Sequence, residues 1–235
     1  MTYSSVQISP SFKKRWRRWR PYLLLLAATI VALRISVADW NWIPSGSMNP
    51  TIVEGDVVFT NKLAYDFRVP LTSLKISRND PQRGDIAVFQ SPENATRLVK
   101  RIIGLPGDTL QMRNNALYLN GEAIDYQPLS DELAKDVPAR FRPYSLFYEE
   151  FLGEHQHSIM VTPGTPALIS NFPPIIIPEG KYFMLGDNRD FSRDSRMYGF
   201  VERKYFLGRV TRILLSFDHE DKQRPRGHRF FTYLR

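Results

Sequence analysis

The chain of 235 residues contains no cysteine and only four histidines. Without cysteine there can be no disulfide framework, no thiolate nucleophile and no cysteine-ligated zinc site, so stability must come from packing. The His-Glu-x-x-His, Walker A and dinucleotide-binding signatures are also absent, as is the Gly-x-Ser-x-Gly turn of many serine hydrolases. A hydrophobic content of 43% is nevertheless sufficient for one sizeable domain with a real core.

Positive charge is unevenly spread along the chain. The net charge is +8, but six basic residues lie within the first twenty, which hold no acidic residue. These residues are Lys13, Lys14, Arg15, Arg17, Arg18 and Arg20. The remaining 215 residues carry a net charge of only about +2. The basicity is therefore a feature of the N-terminus, and the sequence predicts no nucleic-acid partner.

A hydrophobic segment follows this basic arm, and residues 21–38 are predicted to form one transmembrane anchor. Its apolar part is about 25 Å long as a helix, enough to span a bilayer if Arg34 reaches the far interface. Tryptophans flank it where membrane interfaces favour them: Trp16, Trp19, Trp40 and Trp42. The positive-inside rule places residues 1–20 in the cytoplasm and the chain from residue 39 onward on the outer face.

A cleavable signal peptide is the alternative for the same segment. A basic region, an apolar region and Ser36-Val37-Ala38 before Asp39 also fit that pattern. The tryptophans and the long basic arm favour a retained anchor.

Beyond Thr51, short β-branched or aromatic runs alternate with Gly, Pro and Asn turns. Strands are predicted at 56–61, 85–90, 98–103, 109–112, 116–119, 158–161, 181–185 and 208–216. A single helical turn is expected within 130–136. The fold class is therefore mainly β, a barrel-like or two-sheeted core preceded by one N-terminal transmembrane helix.

The predicted core consists of residues 39–126 and 181–218. Residues 127–180 are less regular and contain eight prolines, which indicates a smaller lobe inserted into the core. Residues 219–235 are predicted to be a solvated basic C-terminal tail.

The segment 43–51, Ile-Pro-Ser-Gly-Ser-Met-Asn-Pro-Thr, is the first candidate for chemistry. Two serines between prolines form a stiff turn that can hold a hydroxyl outward, but a serine needs a neighbouring base and an oxyanion pocket. Lys100 is the candidate base, because strand alternation places it on the face shared by Leu98 and Ile102. Burial there would lower its pKa, whereas an edge-strand lysine reaching solvent is the alternative.

A third cluster lies at 186–196, Gly-Asp-Asn-Arg-Asp-Phe-Ser-Arg-Asp-Ser-Arg. Alternating Asp and Arg residues indicate a loop locked by ion pairs. A calcium loop is disfavoured, because the spacing departs from the EF-hand pattern and three arginines oppose a cation. The pair His155 and His157 is expected to be solvated rather than catalytic.

Together these segments resemble the bacterial type I signal peptidases, membrane-anchored Ser/Lys endopeptidases. The resemblance rests on four blocks in the family's order, at 43–51, 83–89 (Arg-Gly-Asp-Ile-x-Val-Phe), 99–108 (Val-Lys-Arg-x-x-Gly-x-Pro-Gly-Asp) and 186–196. It implies a β-rich catalytic core with an inserted β lobe.

The resemblance also implies a role for each matching residue. Ser47 would be the nucleophile and neutral Lys100 the general base, with the Ser47 N–H and the Ser45 hydroxyl as oxyanion donors. Ser192 would hydrogen-bond and orient the Lys100 amine. Two ion pairs would brace the loop, namely Asp194 with Arg196 and Asp187 with Arg189. Plausible walls for shallow substrate pockets are Ile43, Met48, Val57 and Phe59.

The function implied is removal of signal peptides from translocated preproteins with small residues at positions −1 and −3. No cofactor or metal is needed, and the expected state is a single-pass monomer in the bacterial inner membrane with a periplasmic catalytic domain. A peptidase dedicated to one substrate, such as a conjugative pilin, is an alternative, as is a non-catalytic signal-peptide-binding module. A self-cleaving repressor is disfavoured because an anchor stands where a DNA-binding module would be.

Overall fold

A computed structural model describes residues 10–70, 72, 74–164 and 170–234. It begins with helix α1, Pro10–Ser36, which is about 40 Å long. Residues Arg15–Ser36 are long and apolar enough to cross a membrane, and only 6% of the most apolar window is buried. Side chains such as Leu24 and Leu25 are 60% and 66% exposed. The apolar surface of α1 is thus not covered by the rest of the described protein.

The end of α1 differs from the predicted boundary at residue 38. Ser36 is the last helical residue, and Ala38 already belongs to the first strand, where it pairs with Asn61. The Lys62 ammonium donates to the carbonyl oxygens of Arg34 and Ile35, at 2.7 and 3.4 Å. The last turn has no intrahelical donors for its carbonyls, so these contacts terminate the helix at the edge of the domain.

Seventeen strands, numbered in chain order, are found in the described residues. The largest sheet contains β1 (Ala38–Trp42), β2 (Asp56–Asn61), β5 (Ile86–Gln90), β6 (Arg97–Gly104), β14 (Lys181–Leu185), β15 (Val201–Glu202), β16 (Phe206–Asp218) and β17 (Arg224–Pro225). Its order is β1-β2-β16-β5-β6-β14-β15, with β17 also paired to β16. All of these ladders are antiparallel. A mainly β fold is therefore confirmed.

Alternation along the strands separates the hydrophobic core into two faces. In β2, Val58 is fully buried whereas Val57 and Phe59 are only partly buried. Val58 packs in a cluster that includes Ile43 and Met48 from the turn between β1 and β2. Of the expected pocket walls, Ile43 and Met48 therefore lie on the face of Val58, whereas Val57 and Phe59 lie on the opposite face of β2, because a strand offers only every second residue to one face.

Three smaller sheets complete the fold. A hairpin pairs β3 (Asp66–Arg68) with β4 (Lys75–Ser77). A four-stranded sheet has the order β13-β7-β8-β9, formed by β7 (Thr109–Arg113), β8 (Ala116–Leu119), β9 (Glu122–Ala123) and β13 (Phe172–Ile176). A three-stranded sheet is formed by β10 (Asp125–Pro128), β11 (Leu146–Leu152) and β12 (His155–Val161). The helical turn expected within 130–136 is a 3₁₀ helix, Asp131–Asp136.

The three strands between residues 109 and 123 do not belong to the large sheet. Strands β7 to β9 were assigned to the core by sequence, yet they pair with β13 and not with the large sheet. Their apolar residues Leu110 and Leu117 pack with Ile177 and Leu185, which links this sheet to the end of β14. The alternating pattern identifies strands but not their partners, so this reassignment could not be read from sequence.

The C-terminal segment is packed against the domain and is not a solvated tail. The backbone N–H groups of Ile213 and Leu234 donate to the carbonyls of Thr232 and Thr211, so the segment runs beside β16. The Arg229 guanidinium donates to the buried Asp56 carboxylate at 2.7 Å and to the Thr51 carbonyl at 3.1 Å. These contacts tie the C-terminus to the segment that follows the Ser47 turn.

Candidate active site

The turn that carries Ser47 is held by local hydrogen bonds and by one buried side chain. The Asn49 N–H donates to the Gly46 carbonyl at 3.1 Å, and the Ile52 N–H donates to the Met48 carbonyl at 3.0 Å. Met48 is 1% exposed and anchors the turn in the core. Ser47 itself is only partly buried, so its hydroxyl is held at the surface of a rigid segment.

Lys100 lies in β6 opposite Ala87 of β5, and its Nζ is 2.5 Å from the Ser47 Oγ. The side chain does not reach solvent, because Lys100 is only 3% exposed. Burial lowers the pKa of the Lys100 amine to about 8, while the carboxylates of Asp194 and Asp187 act in the opposite direction. At neutral pH about one molecule in ten would then hold the free amine, compared with about one in 2,500 for a solvated lysine.

Asp194 and Arg196 form the ion pair expected in the loop at 186–196. The Arg196 guanidinium donates to both oxygens of Asp194 at 2.8 Å. Asp194 also caps helix α2, Ser195–Tyr198, and accepts from the Gly186 N–H at 3.1 Å. One carboxylate thus joins the two ends of the loop.

The second expected pair, Asp187 with Arg189, is wrong. Asp187 binds Arg101 instead, with distances of 2.9 Å from Nε and 2.8 Å from Nη2. Both side chains are 1% exposed in this ion pair. Arg101 follows Lys100 in β6, and alternation turns it toward the loop rather than toward Ser47. Sequence proximity favoured Arg189, but a buried partner 86 residues away holds the carboxylate.

Arg189 is paired with Glu150 of β11, a residue that sequence reasoning missed. Two parallel hydrogen bonds of 2.7 Å join the guanidinium to the carboxylate, and neither side chain is exposed. The Tyr126 hydroxyl donates to the same carboxylate at 2.8 Å. Two adjacent glutamates in a half-buried strand suggest solvated charge, and the only sequence signal for burial is that Glu150 shares a strand face with Leu152.

His157 is also part of this buried network, which corrects the expectation that it is solvated. It is 4% exposed, and its Nε2 lies 3.2 Å from Glu150 Oε1 and 3.9 Å from Asp187 Oδ1. Burial, followed by the nearby Arg101, holds the pKa of His157 below its usual value. The ring therefore joins two buried ion pairs, one from each side of the site.

Asn188 connects the loop directly to the Ser47 turn. Its side-chain amide donates to the Gly46 carbonyl at 3.0 Å, and its backbone N–H donates to the Ser47 carbonyl at 3.2 Å. Glycine is required at the neighbouring position 186, since a Cβ there would collide with the Ser47 carbonyl oxygen and the Ser192 Oγ. Sequence reasoning did not single out Asn188, although it lies within the Gly-Asp-Asn-Arg-Asp segment.

Ser192 and Ser45 lie near the dyad in different environments. Ser192 is 5% exposed, and its Oγ forms no hydrogen bond with the described residues, so the expected hydrogen bond to Lys100 is not made. The reason is packing, because this oxygen is directed at the Gly186 backbone. Ser45 is exposed on the turn, two residues before Ser47.

Two strand edges beside the dyad are open. Strand β1 pairs only with β2, and in β6 only residues 101, 102 and 104 pair with β14. An ion pair of 3.3 Å joins Asp39 of β1 to Arg97 of β6, and the 2.5 Å contact joins Lys100 of β6 to Ser47 in the turn that follows β1. Within the described residues, β1 and residues 97–100 of β6 each pair with one neighbouring strand only, so each has a free edge that can accept an extended peptide by strand addition.

A serine hydroxyl in contact with a buried, low-pKa amine defines a class of enzymes, the hydrolases that act through a covalent acyl intermediate. The family model described as Signal peptidase, peptidase S26 matches residues 16–215 of the chain. That match spans the Ser47 turn, strand β6 and the loop at 186–196.

Three relatives carry the name Signal peptidase I. The protein of Pseudomonas aeruginosa is 39% identical, with 80% of this chain and 68% of that protein covered. The protein of Buchnera aphidicola subsp. Schizaphis graminum is 35% identical, with 80% of this chain and 71% of that protein covered. The protein of Rickettsia canadensis is 32% identical, with 85% of this chain and 80% of that protein covered.

A crystal structure of a signal peptidase I from Enterococcus faecalis is 34% identical, with a TM-score of 0.35 over 57% of this chain and 100% of that chain. The family match over residues 16–215 and the relatives named above show that the chain belongs to the peptidase S26 family, as a bacterial type I signal peptidase.

Proposed function

We propose that this enzyme is a membrane-bound endopeptidase that removes signal peptides from exported preproteins through a dyad of Ser47 and Lys100. The observation that carries the proposal is the 2.5 Å contact between Ser47 Oγ and the buried Lys100 Nζ. A free amine at that distance can take the serine proton as the hydroxyl attacks. A non-catalytic binding module would have no use for this arrangement.

The reaction proceeds by acyl transfer. Ser47 Oγ attacks the carbonyl carbon of the scissile bond while Lys100 Nζ takes the hydroxyl proton. The resulting oxyanion is stabilised by the Ser47 N–H and the Ser45 hydroxyl. As the tetrahedral intermediate collapses, the C–N bond breaks and Lys100 returns the proton to the leaving amine. Lys100 then deprotonates a water molecule, which hydrolyses the ester and releases the signal peptide.

Ser192 acts as an orienting group for Lys100 in this mechanism. Its hydroxyl is buried beside Gly186 and uses no hydrogen bond among the described residues. A rotation about χ1 would direct the Ser192 Oγ toward the amine when substrate binds. Asp194 and Arg196 maintain the loop, and Asp187 acts through Arg101 rather than through Arg189.

The substrate binds as an extended strand between β1 and β6, with small residues at positions −1 and −3. Successive side chains of an extended peptide point to opposite sides, so positions −1 and −3 face the same wall. The wall next to Ser47 is already filled by Ile43, Met48 and Val58, which are all at most 4% exposed. Little depth remains there for a large side chain.

The anchor places this site at the outer face of the inner membrane. The apolar surface of α1 is exposed, and Trp40 and Trp42, 47% and 44% exposed, follow immediately after it. The basic residues before the span put the N-terminus in the cytoplasm. With α1 as its anchor, the enzyme would meet preproteins as they emerge from the membrane.

The test is cleavage of a membrane-inserted preprotein by purified Ser47→Ala and Lys100→Ala enzymes. Each is expected to lose activity on the order of 10⁴-fold or more, because removing one residue of a catalytic pair costs about as much as removing both. Arg113→Ala, on the second lobe, serves as the control and should cleave normally. Processing by either dyad variant at the normal rate would overturn the assignment. Complementation of a signal-peptidase-depleted strain would distinguish a general enzyme from one dedicated to a single substrate.

A further inference from the structure

Four basic side chains surround one carboxylate where α1 meets the large sheet. Asp39 is contacted by Arg34 at 2.9 Å and by Lys62 and Arg97 at 3.3 Å. Arg68 lines the same cleft and donates only to a backbone carbonyl, that of Phe206 at 3.4 Å. Among the described residues no second carboxylate pairs with any of these four cations. This anchor-end cluster, Arg34, Asp39, Lys62, Arg68 and Arg97, therefore carries a net charge of +3.

Negative charge does not balance the positive charge of this cluster, even at Lys62, its most buried cation. Lys62 has a side chain only 13% exposed. Burial lowers the pKa of Lys62, the neighbouring Arg97 and Arg68 lower it further, and Asp39 compensates only in part. Arg34 and Arg97, by contrast, have side chains that are 49% and 58% exposed and can reach a further anion. An anion with several oxygen acceptors could accept hydrogen bonds from the basic side chains that the Asp39 carboxylate alone does not satisfy.

The position of the cluster indicates where that anion comes from. Arg34 lies in the last turn of the apolar helix, and its guanidinium stacks 4.1 Å from the ring centroid of Trp40. Tryptophan and arginine at the end of a membrane span lie at the depth of the lipid headgroups. Basic residues near a membrane surface that contains anionic lipids are attracted to it with about 1 kcal/mol for each residue.

We propose that the anchor-end cluster is a binding site for the phosphate of an anionic phospholipid headgroup, held by Arg34, Arg68 and Arg97 with Lys62 beneath. The site rests on the proposed membrane anchoring through α1, but it is separate from the Ser47 turn. A bound headgroup fixes the end of α1 against β1 and β6, and so sets the height of the open strand edges above the bilayer.

The experiment is native mass spectrometry of the full chain released from micelles that contain equal amounts of phosphatidylcholine and phosphatidylglycerol. The wild-type protein should retain phosphatidylglycerol preferentially. Arg68→Gln with Arg97→Gln should reduce that retention about 25-fold, or about fivefold for each residue. Asp39→Asn should increase it, because the competing carboxylate is removed. A matched control, Arg113→Gln with Lys181→Gln, removes two positive charges from distant strands and should retain the lipid normally.

Three results would overturn the proposal. Equal retention of the two lipids by the wild type would exclude an anion site, and unchanged retention by Arg68→Gln with Arg97→Gln would place the site elsewhere. If inorganic phosphate at millimolar concentration displaces phosphatidylglycerol completely, the cluster takes free phosphate and not a headgroup. Arg68→Lys with Arg97→Lys, which keeps the charges, should preserve retention and so separates loss of charge from loss of structure. Preprotein cleavage measured in neutral detergent tests the dyad independently.

Discussion

The lysine at position 100 is placed in surroundings that work against its own charge. It is 3% exposed, and the nearby carboxylates of Asp187 and Asp194 are themselves engaged with arginines. The pKa of its amine is consequently lowered to about 8, near the value at which a base is both available and effective. Two predictions at the residue scale follow from this single value.

Cleavage should depend on pH through Lys100. Since the free amine is the active form and its pKa is about 8, kcat/KM should fall about tenfold for each pH unit below 8 and level off above 9. His157 is buried with its pKa held below the usual value and should not contribute near neutrality. The measurement is kcat/KM on a soluble preprotein from pH 6 to 10. A flat profile between pH 6 and 9 would contradict a lysine base.

Folding stability should also reflect this lysine. Its pKa is about 8 in the folded protein and 10.5 as the ordinary value, so the unfolded chain binds more protons between these limits and stability rises with pH across that window. Below pH 8 the full cost of burying the charge remains. Lys100→Met should therefore stabilise the protein at pH 7 by about 1–3 kcal/mol, with the gain gone near pH 10.5. Urea unfolding at both pH values measures it, and a loss of stability at pH 7 would contradict the expectation.

At the scale of elements, strand β11 reaches into the active-site loop. Glu150 of this strand contacts Arg189 through two buried hydrogen bonds of 2.7 Å. Arg189 adjoins Asn188, which holds the Ser47 turn. The second lobe is therefore connected to the Ser47 turn through buried contacts.

Breaking this link should affect both stability and catalysis. Glu150→Gln leaves Arg189 buried without a full counter-charge and should cost about 3–5 kcal/mol, with a drop in kcat as the loop loosens. Glu149→Gln is the control, because that side chain makes only a 3.4 Å contact with Ser158 and should change stability by less than about 0.5 kcal/mol. Urea unfolding and steady-state kinetics measure both effects. Equal behaviour of the two variants would mean that the ion pair contributes nothing to the site.

The strands and their contacts also show which structural features could be predicted from the sequence and which could not. Strands 56–61, 116–119 and 181–185 were predicted with their observed limits, because alternation and turn residues are local signals. Strand β13 was missed, since Pro173 and Pro174 argue against a strand; it lies at a sheet edge, where a missing N–H is tolerated. The contact between Ser47 and Lys100 was anticipated from motifs. The partners of Asp187 and Arg189 were not, because buried ion pairs are fixed by tertiary packing between distant strands.

At the scale of the whole molecule, helix α1 and the β domain are joined by few contacts. The apolar window of α1 is 6% buried, and its principal fixed contacts are those of Lys62 and Asp39 at its C-terminal end. Removing residues 1–36 should therefore leave the β domain folded, with a change in thermal midpoint of less than about 5 °C. Circular dichroism and a melting curve measure this, and the truncated protein should cleave a soluble preprotein better than a membrane-inserted one. An unfolded fragment would show that α1 is part of the core.

The two open strand edges have a consequence for the timing of maturation. In the proposed mode of binding, the cleavage junction lies as one extended strand between β1 and β6, beside Ser47 and Lys100. A preprotein whose mature part has already folded up to its first residue cannot present the cleavage junction in this extended form. We therefore expect cleavage to precede the formation of tertiary structure around the junction, unless several residues on either side of it stay extended.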